Sequence, residues 1–145
     1  MPTVLVTGGA GYVGSHTSLR LAEAGFLPVA YDNLSNGHAE FAQWGPLEIG
    51  DIRDAARLDE VFVKHRPVAV LHFAALIEVG ESVRHPDRFY DNNVSGALTL
   101  IEAARRAASA PWSFPRPAPP MAIPSRSRWM RAIPRRRLTP MAAPS

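Results

Sequence analysis

The chain contains no cysteine, which excludes a disulfide framework and thiolate metal sites. No apolar run approaches the roughly 18–20 residues of a membrane-spanning helix. Met1-Pro2-Thr3 lacks the basic stretch of a secretory signal, so a cytoplasmic location and no membrane partner are expected. Lysine occurs once, as Lys64, and tyrosine only as Tyr12, Tyr31 and Tyr90. Residues 111–145 contain no acidic residue and no glycine.

These last absences divide the chain. Residues 1–110 carry 9 basic and 13 acidic side chains, a net −4; residues 111–145 carry 7 arginines, a net +7; together they give the +3 of the whole. Nine of the 14 prolines lie in the second part, and all 10 glycines lie in the first. With 46% apolar residues the chain is not disordered throughout. The composition predicts a folded part over 1–110 and a disordered Pro/Arg-rich tail over 111–145.

The first part alternates strand and helix patterns. Thr3–Thr7 reads as a buried strand, and a helix follows to Ala24 with Val13, Thr17, Leu21 and Ala24 on its apolar face, capped by Gly25. Leu27–Tyr31 reads as a second strand ending at Asp32, and Leu47–Ile49 as a third. Asp54 can cap a helix that runs to about Lys64, with Leu58, Val61 and Phe62 inward. Pro67–Phe73 reads as a fourth strand. Asp87–Ala108 reads as a helix broken near Asn92-Asn93, with Val94, Leu98 and Ile101 spaced for burial. Such alternation implies an α/β fold, an incomplete doubly wound parallel (Rossmann) sheet of about four strands with right-handed crossovers.

Chemistry enters at the glycine loop. Gly9-Ala10-Gly11-Tyr12-Val13-Gly14 follows a strand and opens a helix, the context that gives a G-x-G-x-x-G motif its meaning. The same segment also reads as Gly8-x-x-Gly11-x-x-Gly14. Glycines there allow a tight turn, close approach of a pyrophosphate and close helix packing, and the helix N-terminus offers N–H groups to phosphate. Asp32, 18 residues after Gly14, can accept ribose hydroxyls and repel a 2′-phosphate, which favours NAD over NADP. Asp51 is either an adenine neighbour or the start of a helix-initiating turn. Of the histidines, His72 reads as a hydrogen-bonded core residue, His16 lies on the first helix, and His38, His65 and His85 read as surface positions; no pair has metal-ligand spacing backed by carboxylates.

The ordered segments Val4–His16, Asp32-Asn33-Leu34-Ser35-Asn36-Gly37, Gly50-Asp51-Ile52-Arg53, His72-Phe73-Ala74-Ala75, Val79-Gly80-Glu81-Ser82-Val83 and Tyr90–Gly96 resemble the UDP-glucose 4-epimerase family of the extended short-chain dehydrogenase/reductases. The resemblance covers residues 3 to about 108. It implies NAD as cofactor, with Gly8, Gly11, Tyr12, Val13 and Gly14 at the pyrophosphate and Asp32 through Gly37 at the adenosine ribose. Asp51 and Ile52 would flank adenine, and Phe73, Ala74, Ala75, Leu76, Ile77 and Asn92 would line the nicotinamide side. It further implies a UDP-hexose substrate and a homodimer. In the family, NAD⁺ takes hydride from C4 of the hexose and returns it to the other face, exchanging UDP-glucose and UDP-galactose. A Tyr-x-x-x-Lys pair supplies the base, the lysine favouring the phenolate.

That pair is missing. Four residues beyond Tyr12, Tyr31 and Tyr90 stand His16, Ser35 and Val94, so no catalytic residue is assigned and the chain by itself is expected to be inactive. The genetic code suggests a reason. Read one base earlier, the codons of Thr139-Pro140-Met141-Ala142-Ala143-Pro144 are compatible with Asn-Pro-Tyr-Gly-Gly-Ser, the family's catalytic-tyrosine segment. The same shift over Pro117–Pro124 is compatible with Thr-Cys-Ala-Thr-Tyr-Gly-Asp-Pro, which in the family follows the fifth strand. A frameshifted translation from about residue 110 is therefore expected. Two other readings stand beside this one: another nucleotide-sugar enzyme such as a dehydratase, and a non-catalytic nucleotide-binding protein whose arginines contact an anionic partner. Nucleic acid is disfavoured as that partner, because no recognisable nucleic-acid fold surrounds the arginines.

Overall fold

The computed structural model describes residues 1–109. Four strands, β1 (Thr3–Thr7), β2 (Leu27–Asp32), β3 (Leu47–Ile49) and β4 (Ala69–His72), form one parallel sheet in the order β3-β2-β1-β4. Five helices accompany them: α1 (Tyr12–Glu23), α2 (Ala55–His65), α3 (Val79–Arg84), α4 (Pro86–Tyr90) and α5 (Ala97–Ser109). A π-helical turn, Asp91–Gly96, joins α4 to α5. The expected Pro/Arg-rich tail of 111–145 lies outside the described residues.

Successive strand residues point to opposite faces, and both faces are covered, so the middles of β1 (Val4–Val6) and β2 (Pro28–Ala30) are apolar without alternation. Leu5, Val29 and Tyr31 face Leu58, Val61 and Phe62 of α2 and Leu100 and Ala103 of α5. The opposite face carries Val4, Val6 and Ala30, all buried, and α1 packs against β1 and β2. Asp54 caps α2 as expected: its carboxylate accepts the Arg57 N–H at 3.0 Å. α1 ends at Glu23 with Ala24 as its C-cap, and Gly25 follows with φ +85°. The Gly25 and Phe26 amides bond back to Ala22 and Leu21, a Schellman closure.

Two helix faces differ from the spacing. α1 buries Gly14, Ser15 and Ser18, whereas Val13 is 56% exposed. Small residues win because they let the helix backbone close on the sheet, and the Ser18 hydroxyl satisfies itself on the Gly14 carbonyl. In the last helix, Val94, Leu98 and Ile101 are exposed, and Gly96, Leu100 and Ala103 are buried. The break falls at Asn92-Asn93 as expected, but it is a π turn. α5 meets α2 through Leu100, Ala103, Ala104 and Ala107, and Gly96 of the π turn packs against Ile52, so the side carrying Leu98 and Ile101 is turned away.

The fourth strand is shorter than the Pro67–Phe73 pattern suggests. β4 pairs only with β1, and among the described residues its outer edge has no strand partner. His72 is hydrogen-bonded, its Nδ1 2.7 Å from the Thr7 hydroxyl, but it stands on this open edge and not in the core. Partial desolvation lowers its pKa. His65 is not a surface residue. Its side chain is 11% exposed and contacts Glu48, a buried carboxylate on β3 that also binds Arg57 at 2.6 Å and Lys64 at 2.7 Å.

Candidate functional site

A cleft of about 280 Å³ opens at the C-terminal ends of the strands. It lies where β1 sends one connection toward β2 and the chain later returns to β4, the switch point at which doubly wound sheets bind ligands.

The glycine loop forms its floor. Gly8 turns with φ +70°, and a Cβ there would lie 2.6 Å from the Phe73 carbonyl carbon. A side chain on Gly14 would overlap the Gly8 carbonyl oxygen. Gly9 instead faces Ala30. The working set at the cleft is therefore Gly8, Gly11 and Gly14, the second of the two readings of the motif. Gly11 is the N-cap of α1 and provides no side-chain cap, and the first turn holds no acid. The amides of that turn and the helix dipole are thus directed at an open space suited to an anion.

Asp32 ends β2 with its side chain buried. Its Oδ2 accepts the Ala10 N–H at 3.0 Å and its Oδ1 accepts the Leu34 N–H at 2.9 Å. One carboxylate therefore ties the glycine loop to the 33–37 loop and still has lone pairs for a ligand. Leu34 takes a left-handed conformation, φ 59°, and Ser35 N–H bonds the Asn33 side chain at 3.0 Å. Across the cleft, the Asn36 side chain donates to Glu78 at 3.1 Å. The far wall is the segment after β4, Phe73 to Glu78, with Asn92 beside it.

Seventeen of the 19 residues expected from the sequence line this cleft, all but Leu34 and Asp51. Leu34 acts through its backbone. The Asp51 carboxylate is occupied by Arg53, which contacts it at 2.9 and 2.8 Å, and by Asn33 at 3.1 Å. Hydrogen bonds from the Arg53 side chain hold its pKa well below the usual carboxylate range, against the opposing effect of burial. The Asp51 carbonyl accepts the Asp54 N–H, so the helix-initiating turn is the role the geometry gives it. Ile52 beside it is buried and does line the cleft. Tyr31, Gly50 and Glu78 also line it. Tyr31, in the second strand, is buried; its hydroxyl bonds the Asp51 carbonyl at 2.8 Å, and burial raises its pKa. Gly50 is required because a side chain would meet the Tyr31 ring.

A parallel sheet with its glycine turn, uncapped helix terminus and strand-end aspartate at one switch point defines a Rossmann-type α/β protein. Residues 4–114 match the NAD dependent epimerase/dehydratase family, and the chain belongs to that family. It is 69% identical over 105 residues to a UDP-glucose 4-epimerase of Rhizobium leguminosarum bv. trifolii, covering 72% of this chain and 32% of that protein. The enzyme of the same name from Rhizobium meliloti is 67% identical over 104 residues, again 72% and 32% of the two chains. Among solved structures, the UDP-glucose 4-epimerase of Brucella ovis in complex with NAD superposes with a TM-score of 0.73 at 52% identity, covering 74% of this chain and 33% of that one. The Bifidobacterium longum UDP-glucose 4-epimerase in complex with NAD⁺ and UDP gives 0.69 at 35%, covering 73% and 34%. The chain thus spans about a third of the length of the relatives it matches. Among the described residues, no helix is long and apolar enough to cross a membrane.

Proposed function

We propose that residues 1–110 are the dinucleotide-binding portion of a UDP-glucose 4-epimerase and that the cleft holds NAD. The observation that carries this is the convergence of Gly8, Gly11, Gly14, the α1 terminus and Asp32 on one cleft, with a glycine loop packed so closely that a Cβ on Gly8 or Gly14 would clash with neighbouring backbone. Bound NAD supplies a reversible hydride acceptor. The chain's own residues would bind and orient it. The amides of Tyr12 and Val13 would face the pyrophosphate, Asp32 and the 33–37 loop would hold the adenosine ribose, Ile52 would cover adenine, and Phe73–Ile77 with Asn92 would form the nicotinamide side. The substrate of the complete site would be a UDP-hexose, and its location the cytoplasm.

This chain by itself does not epimerise, because no tyrosine is followed four residues later by lysine. Without those partners the nicotinamide half of the site is weak. Calorimetry on the 145-residue chain is expected to give a dissociation constant for NAD of about 10 to 100 µM, and for NADP at least about tenfold weaker again. The fixed Asp32 carboxylate would stand against the 2′-phosphate. Nanomolar NAD binding, equal affinity for the two dinucleotides, or conversion of UDP-galactose to UDP-glucose by the purified chain would each contradict this reading.

Residues 111–145 form the second half of the same proposal, a stretch translated in a shifted frame. Two facts support it: the family match stops at residue 114, and the net charge changes sign near residue 110. Sequencing the coding DNA tests it. A shifted frame that meets stop codons, or lacks a family-like continuation, rules it out.

A further inference from the structure

Two adjacent asparagines, Asn92 and Asn93, sit in the π turn, a helical irregularity frequent at functional sites. They treat the far wall of the cleft differently. Asn92 lines the cleft, and its Nδ2 donates to the Ala74 carbonyl at 3.0 Å and to Asn93 Oδ1 at 3.0 Å. With the nitrogen engaged twice, Oδ1 is the atom Asn92 can offer a ligand. Asn93 does not line the cleft. Its Oδ1 accepts the Leu76 N–H at 2.8 Å, and its Nδ2 donates to the Leu76 carbonyl at 2.9 Å.

The Leu76 pairing is that of a neighbouring strand, one donor and one acceptor returned to the same residue. Leu76 lies beyond the end of β4, the edge strand whose outer side has no strand partner among the described residues. A single side chain therefore does there what a β-ladder would do. The same Oδ1 also fixes which way round the Asn92 amide sits.

We infer that Asn93 is a positioning residue: through Leu76 and Asn92 it sets the 74–78 wall, and with it the affinity of one half of the cleft. The inference rests on the dinucleotide reading above. It predicts a selective effect, because Asp32, Leu34 and Ser35 are held by hydrogen bonds that do not involve that wall, and the exposed Asn36–Glu78 contact alone links the 33–37 loop to it.

The test uses the full 145-residue chain with Asn93→Ala and Asn93→Asp. Calorimetry compares NAD with ADP, which occupies only the adenosine-diphosphate half. Backbone amide exchange is followed at Leu76, with Leu58 as a core control. For Asn93→Ala, NAD affinity should fall about tenfold and ADP affinity by less than about twofold, while Leu76 exchange rises about tenfold or more and Leu58 is unchanged. Asn93→Asp keeps the acceptor and loses the donor, so it should lie between. Unchanged Leu76 exchange, or equal losses for NAD and ADP, overturns the inference. If Leu76 responds but even the parent chain binds no NAD, the dinucleotide reading fails and the positioning role falls with it, while the tether itself stands.

Discussion

Gly14→Ala is expected to destabilise the chain by about 3 kcal/mol or more and to lower dinucleotide affinity at least about a hundredfold. The added methyl would overlap the Gly8 carbonyl oxygen and lie 2.8 Å from both the Gly8 carbonyl carbon and the Gly9 Cα. Relief would have to come from Gly8, and Gly8 has no room to move. Its amide bonds the Tyr31 carbonyl at 2.8 Å, its carbonyl accepts the Gly11 N–H at 3.1 Å, and its Cα faces the Phe73-Ala74 backbone. The strain would therefore separate α1 from β1 and splay the anion-facing amides. Gly25→Ala is the control. Nothing lies within 4 Å of a Cβ at that position, so only the left-handed φ of +85° is penalised, at about 1 kcal/mol, and binding should be unchanged. Denaturant melts and calorimetry on both variants check this. If the two variants lose equal stability, the close approach at Gly14 is not what holds the loop.

Glu48→Gln is expected to remove about 1–3 kcal/mol at pH 7 and almost nothing near pH 2. The carboxylate is 6% exposed and receives Lys64, His65 and Arg57 together, so β3 is fastened to α2 through one acid. Hydrogen bonds from Lys64 and His65, opposed by burial, lower its pKa from 4.5 to about 2. A carboxyl depressed in the folded state contributes stability above the unfolded value of 4.5, and this is lost as pH falls toward 2. The full shift would be worth about 3 kcal/mol. Lys64, 64% exposed, is screened by water, which places the expected value lower in the range. Urea melts of the parent and Glu48→Gln across pH 2–7 should converge at the acid end. Parallel curves would show that the cluster contributes nothing specific.

Glu48 also shows where a sequence reading stops. Nothing in the sequence singles out the lone glutamate of a three-residue strand, and only the tertiary fold brings Arg57, Lys64 and His65 around it from 9 to 17 positions away. The four strands, the Asp54 cap and the glycine loop were legible because each depends on local pattern or local turn chemistry. Helix faces were less so. Spacing identifies an apolar stripe, but α1 closes on the sheet through Gly14 and Ser18, and the π turn and α5 pack through Gly96, Ala103 and the one bulky Leu100, so small size decides most of these contacts. Asp32 was recognisable as a site residue from its place at the end of a strand. Its two backbone hydrogen bonds were not, since they depend on how the 33–37 loop folds back. The break at Asn92-Asn93 was visible, but not the pairing of Asn93 with Leu76, 17 positions away.

The strand order has a consequence for synthesis. Of the four strands, β1 is made before the others and ends as an interior strand, with β2 and β4 on its two sides and β3 outside β2. Every later strand pairs with one already made, so the sheet can grow outward without displacing anything. The cleft follows the same schedule: glycine floor first, Asp32 loop second, far wall last. A nascent chain therefore completes the adenosine end of its pocket before the asparagines that tether the opposite wall have been translated.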